Sequence, residues 1–159
     1  MPIKLLSNID LQNHCRRLGI PLHYVGSKNS FIQKKPKLGA YIINMDTAQG
    51  PGTHWTALIL RPSCAVYYDS FGLAPPPSIL AFVRRFPSQL KVIHSSSQIQ
   101  ALPSTACGWY CLFFLHWFSV KFKTTTRTCR EVLNRHNAIF SLRNRYLNEQ
   151  ILQALIKRL

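Results

Sequence analysis

From Ala106 to Val120 the chain is apolar on every side, interrupted at His116. Crossing a bilayer takes about 20 apolar residues, so no membrane association is expected and the stretch reads as a helix buried in a folded core. A helix that is apolar all round has no face for water, and the remaining chain must wrap it. At 159 residues, 47% of them hydrophobic and without repeats or low-complexity tracts, the length suits one domain over residues 1–159, enough to bury roughly two-thirds of the unfolded surface. Function is expected at the start of that helix, where Cys107 stands.

The other elements are placed by periodicity and punctuation. Apolar Ile9, Leu11, Cys15 and Leu18 predict an amphipathic helix capped by Ser7 or Asn8 and stopped at Gly19. A short loop follows, then the basic turn Lys34-Lys35-Pro36-Lys37 and a buried strand from Leu38 to Met45. Beyond the turn signal Gly50-Pro51-Gly52, Trp55 to Leu60 and Ala65 to Tyr68 predict a hairpin joined near Arg61-Pro62-Ser63. Ser78 to Phe86 reads as a short helix after prolines, and Leu90 to Ile93 as a further strand. Arg127 to His136 and Leu142 to Leu159 read as basic helices, the second docking Leu147, Ile151, Leu152, Leu155 and Ile156 on the core.

Three side chains stand out chemically, each with an ordinary structural reading beside it. Cys107 precedes Gly108 at a helix N-terminus, where the helix dipole stabilises a thiolate; it also fits an inert core cysteine. His54 begins a strand after a Gly/Pro turn, a rigid seat beside a loop; it also fits a surface histidine. Asp69, the sole carboxylate between Asp46 and Glu131, ends the strand that pairs with the one His54 starts; it also fits a turn cap. His116 reads as a satisfied core histidine. Cys107 and Cys111 lie four apart with His116 beyond, but no second Cys/His pair has ligand spacing, so no metal is expected.

Lys and Arg number 20 against five acids, a formal charge of +15. Excess of that size points to a polyanion, with nucleic acid the expected partner through Arg84, Arg85, Arg127, Arg130, Arg135, Arg143 and Arg145. The N-terminal residues lack the pattern of a secretory signal, so an intracellular location is expected. Five cysteines in a reducing compartment then predict thiols over a disulfide framework.

Taken in order, these residues resemble the adenovirus-type cysteine proteases (adenain), relatives of the proteases specific for ubiquitin-like proteins. Thr53-His54-Trp55-Thr56-Ala57 resembles the histidine block and Tyr68-Asp69-Ser70-Phe71-Gly72 the acid block. The segment Gln100-Ala101-Leu102-Pro103-Ser104-Thr105-Ala106-Cys107-Gly108 resembles the glutamine-to-cysteine block. The resemblance implies an α+β fold, a mixed sheet flanked by helices, with the nucleophile at the start of the central helix. It implies Cys107 as nucleophile, His54 as base, Asp69 as orienting acid and Gln100 in the oxyanion hole; Trp55 fits either a wall of the His54 ring or a plain core tryptophan. It implies a monomeric viral endopeptidase of nucleus and virion that cleaves precursor proteins at small-residue, often glycine-containing, sites during virion maturation, with DNA as activator. A deubiquitinating or desumoylating enzyme, or a non-enzymatic DNA-packaging protein on the same scaffold, are the alternatives. In that family an activating peptide is held by a disulfide to a cysteine whose position falls on Gln89 here. Any activating peptide is therefore expected to bind noncovalently, with Cys64, the nearest upstream cysteine, a packing residue.

Overall fold

The computed structural model describes residues 3–46 and 54–159; the Gly50-Pro51-Gly52 turn and Thr53 lie outside them. Helix α1 (Asn8–Leu18) begins in a reciprocal cap, the Ser7 hydroxyl accepting from the Asp10 N–H while the Asp10 carboxylate accepts from the Ser7 N–H, and ends at Gly19, whose φ of 70° suits glycine. Strand β1 (Leu22–Ser27) and the short helix α2 (Lys28–Phe31) then occupy the stretch read as loop. Strand β1 is an edge strand with no buried residue and no clean alternation, so periodicity gives it no signal.

Strands β2 (Gly39–Asn44), β3 (Trp55–Arg61), β4 (Cys64–Tyr68) and β5 (Lys91–His94) complete a sheet of order β1-β2-β3-β4-β5 among the described residues. The two outer pairs are parallel and the two inner pairs antiparallel. The three inner strands are covered on both faces, which is why they read as unbroken apolar runs. Helix α3 (Pro77–Arg84), opened by a proline at its first position, and Phe31 of α2 cover one face over Tyr41, Leu58 and Tyr67.

The other face carries α1, α4 (Cys107–His116), α5 (Cys129–Asn137) and α6 (Arg145–Ile156) over Ala40, Ile42, Ala57, Ile59 and Val66. The architecture is therefore mixed α+β with a sheet between two helical layers. Helix α4 is the buried one, with eight of its ten residues inaccessible. It passes into a π-helical turn, Trp117–Lys121, whose end is held by Arg61: the guanidinium donates to the Phe118, Phe122 and Lys123 carbonyls at 3.2–3.5 Å. Helix α5 repeats the reciprocal cap with Thr128 and Glu131.

Three expectations need correction. Cys64 and Cys129 form a disulfide across 65 residues of sequence, with Cα atoms 6.8 Å apart, so Cys64 is more than a packing residue and the five cysteines are not all thiols. Compartment chemistry says nothing of which sulfurs the fold brings together, and this pair lies within bridging distance. His116 is only partly buried; the core histidine is His136, inaccessible among the rings of Tyr68, Phe113, Phe114, Trp117 and Phe140. In α6, Leu147 is 41% exposed while Asn148 is fully buried. Asn148 is inside because its amide donates to the Ile99 and Ser141 carbonyls and its oxygen accepts from the Ser141 N–H, at 2.6–2.9 Å, satisfying a buried polar group.

Candidate active site

The site forms where the start of β3, the end of β4 and the N-terminus of α4 meet. His54 immediately precedes β3 and Asp69 immediately follows β4; the antiparallel register pairs Ala57 with Tyr68 and so brings the two residues beyond those ends together. His54 Nε2 lies 3.0 Å from Asp69 Oδ1. The same carboxylate oxygen accepts the Phe71 N–H at 2.8 Å, so the acid is fixed before the imidazole is. Phe71 also lays its ring on the His54 ring, centroids 4.8 Å apart. Of the two readings open for Trp55, the structure shows the core one: the side chain is buried and donates its indole N–H to the Leu6 carbonyl at 3.0 Å.

Gly72 closes the turn after the acid at φ 77°, and a Cβ there would stand 2.7 Å from the Ser96 carbonyl oxygen. That close approach seats the 95–100 loop beside the acid block. Ser70 joins the two segments: its carbonyl accepts the N–H groups of Ile99 and Gln100, each at 2.9 Å, and its hydroxyl donates to Gln100 Oε1 at 2.6 Å. The Gln100 amide nitrogen donates to the Ser104 carbonyl at 2.7 Å, and the Ser104 hydroxyl accepts from the Ala106 N–H. From Gln100 the chain thus turns tightly into Cys107, with Gln100 itself 1% exposed.

Cys107 is the first residue of α4, which starts without a side-chain cap, so the positive end of the helix dipole is directed at the thiol. The Trp55 N–H donates to Cys107 Sγ at 3.5 Å. Gly108 lets this end sit deep, because a Cβ there would press on Leu6 and Leu11 at 3.2–3.4 Å.

Burial works against a charge on His54, but hydrogen bonds and charge from Asp69 and Cys107 outweigh it and raise its pKa from 6.5 to about 9. The remaining ring nitrogen, Nδ1, is buried without a well-formed hydrogen bond. Cys107 acts on the imidazole through both hydrogen bonding and charge. Burial pushes the Cys15 thiol up to about 12 and the Cys111 thiol well above its usual value. His54, Asp69 and Cys107 are thus brought together, with the Gln100 loop leading into Cys107. Ser70, Phe71 and Asn148 support them; in the sequence Ser70 and Phe71 stood inside the acid block without roles, and Asn148 lay in a stretch of weaker resemblance, also without a role.

The seven arginines divide. Arg84 and Arg85 belong to the α3 layer, while Arg127, Arg130, Arg135, Arg143 and Arg145 lie on or beside α5 and α6, across the sheet. Arg85 donates to the Ile32 and Lys34 carbonyls, Arg130 to His94 and Arg145 to Gln98, so these three also brace the backbone.

No protein-family model matches the chain. In sequence it is similar to the "Cysteine protease" of African swine fever virus, Tick/Malawi isolate, 30% identical over 108 residues, or 61% of this chain and 39% of that protein. The Pretoriuskop isolate's counterpart, described as a "SUMO-1 cysteine protease", is 31% identical over 109 residues. The "Protease" of Bovine adenovirus 2 is 27% identical over 126 residues, or 69% of this chain and 61% of that protein. The chain therefore spans less than two-thirds of the length of these relatives.

Among solved structures, the African swine fever virus protease superposes over 86% of this chain and 67% of its own with a TM-score of 0.55 at 19% identity. A SUMO protease with its catalytic cysteine oxidised to a sulfinic acid covers 96% of this chain and 80% of its own, with a TM-score of 0.50 at 13% identity. The homologues of this chain are thus viral proteases, the cysteine proteases of African swine fever virus and the protease of an adenovirus, and its mixed α+β fold is similar to that of the African swine fever virus protease and of a SUMO protease.

Proposed function

We propose that the chain is a viral cysteine endopeptidase with Cys107 as nucleophile, His54 as base, Asp69 as orienting acid and Gln100 as oxyanion donor. The observation that carries this reading is the 3.0 Å His54–Asp69 pair beside a thiol seated at a helix N-terminus. In this mechanism the helix end, the Trp55 N–H and the His54 imidazolium hold Cys107 as thiolate. The thiolate attacks the scissile carbonyl carbon, and the electron pair moves to oxygen. The Gln100 amide and the Cys107 N–H receive that oxyanion. His54 gives its proton to the departing amine as the thioester forms; it then takes a proton from water, whose attack on the acyl carbon releases the acid and restores the thiolate beside the imidazolium.

Cys107 is 1% exposed and Phe71 stacks on His54, so a slim segment such as one containing glycine fits the approach best. The substrates of this reading are viral precursor proteins cleaved during maturation, in nucleus and virion, by a monomeric enzyme. DNA is its activator: five carboxylates cannot neutralise 20 cations however they pair, and an unscreened excess attracts a polyanion. Of the predicted contacts, Arg127, Arg130, Arg135, Arg143 and Arg145 share a layer and form the principal surface. Arg84 and Arg85 would engage a separate stretch. Any activating peptide binds noncovalently, since Cys64 is already bonded to Cys129. A second reading, a SUMO-directed protease, is favoured by the description of the Pretoriuskop relative.

A peptide-library digest with and without DNA, run beside a SUMO fusion, tests these readings together. Cleavage should vanish in Cys107→Ala, and iodoacetamide should label Cys107 ahead of Cys15 and Cys111. DNA affinity should fall with salt at a log–log slope of about −0.9 per phosphate neutralised. Activity surviving in Cys107→Ala would remove the proposal; preference for the fusion over every library peptide would select the second reading.

A further inference from the structure

Ser70 is fully buried and has no part in the triad, yet it touches both halves of the site. It follows Asp69 directly, and its backbone and side chain make three hydrogen bonds to the segment carrying Gln100. Of these the hydroxyl bond decides chemistry. A primary amide has one acceptor end and one donor end, and only the donor end can stabilise an oxyanion. Ser104 presents a carbonyl, which can only accept, so the Gln100 NH2 must face it; Oε1 then faces Ser70 and receives its O–H at 2.6 Å. With both ends held, one N–H of the amide is spent on Ser104 and the second is left to the developing charge.

We propose that Ser70 is a positioning residue whose hydroxyl sets the orientation of the Gln100 amide and so aims its second N–H at the oxyanion. This rests on the endopeptidase reading above. Without the hydroxyl, Gln100 Oε1 becomes a buried acceptor with no partner and the amide is held at one end only. The amide then pivots away from its productive direction to find another donor. The thiol, His54 and Asp69 are held by other contacts, so the nucleophile itself stays intact.

The test compares Ser70→Ala, Gln100→Ala and the double variant on one peptide substrate. A peptide aldehyde and iodoacetamide serve as probes: the aldehyde adduct carries an oxyanion, and alkylation does not. Ser70→Ala should lower kcat about 10- to 100-fold with KM within about twofold, part of the loss that removing an oxyanion donor brings. It should weaken the aldehyde by a similar factor, leave the iodoacetamide rate on Cys107 within about twofold, and add little to the defect of Gln100→Ala, since both act on one group. Ser70→Cys, close in size but a poor donor, should show the same split if the alanine variant folds badly.

Wild-type kcat in Ser70→Ala beside a slow Gln100→Ala would overturn the positioning role and leave the endopeptidase reading standing. Equal slowing of alkylation and turnover would also overturn it, because general loosening would then be the cause. Full activity in Gln100→Ala would refute the oxyanion assignment and this proposal with it.

Discussion

His54 is held between opposed effects. Burial favours the neutral ring, and the Asp69 carboxylate and Cys107 sulfur favour the charged one strongly enough to bring its pKa to about 9. If the imidazolium is the proton donor to the leaving amine, kcat/KM should fall above about pH 9, where that proton is lost. Asp69→Asn should move this alkaline limb downward by more than one pH unit, because burial then acts against a weaker opponent. A pH–rate profile measures both; a limb unmoved in Asp69→Asn would return Asp69 to the role of turn cap. For stability the sign is the same: a pKa raised on folding contributes stability that is fully present below about pH 6.5 and is lost as pH rises through about 9. Gly108 makes a different residue-scale demand. Its Cβ would press on the Leu6 and Leu11 side chains, so Gly108→Ala should lower activity through overpacking at the start of α4 although helix propensity alone favours alanine; unchanged kcat/KM in that variant would show that the two leucines give way freely.

Helix α5 carries the fold's one fully buried imidazole among the described residues. His136 Nδ1 lies 2.9 Å from Asn137 Oδ1, while Nε2 has no hydrogen-bond partner within a cage of aromatic rings. Burial depresses its pKa to about 4, with Asn137 opposing weakly. A depressed histidine pKa means that the unfolded chain takes up the proton first. The contribution of neutral His136 is therefore fully present above about pH 6.5 and is lost as pH falls toward about 4. Thermal melts should drop across that window, and His136→Phe should flatten the drop; an unchanged acid slope in that variant would show that other groups set it. In α6 the apolar stripe was legible, but the residue that seats the helix was not. Only its placement against Ile99 and Ser141 shows Asn148 fastening α6 to the segment that carries Gln100. Strand β1 was missed because an edge strand with no buried face leaves no alternation to read.

At the scale of the molecule, the Cys64–Cys129 bond ties the β3–β4 turn to the start of α5 across 65 residues. Closing a loop of that length removes unfolded-state entropy worth about 4 kcal/mol. Reduction, or Cys64→Ser with Cys129→Ser, should therefore lower Tm by roughly 10 °C or more, while Cys107 alkylation still proceeds because the bond lies away from the triad. An unchanged melt with and without reductant would mean that the pair does not bridge in solution. Much of the protein was legible before any fold was known. The apolar run could only be a core helix, the hairpin strands and caps announced themselves through periodicity and punctuation, and a single acid in a long basic stretch singled out Asp69. Those are local signals, fixed by backbone geometry and by the surface each residue must hide. The tertiary structure alone decided which sulfurs meet, which histidine lies in the core, which ring stacks on His54, and that Ser70 holds Gln100. Each of these depends on distances between segments far apart in sequence, and such distances come into being only when the sheet and its two helical layers close around α4.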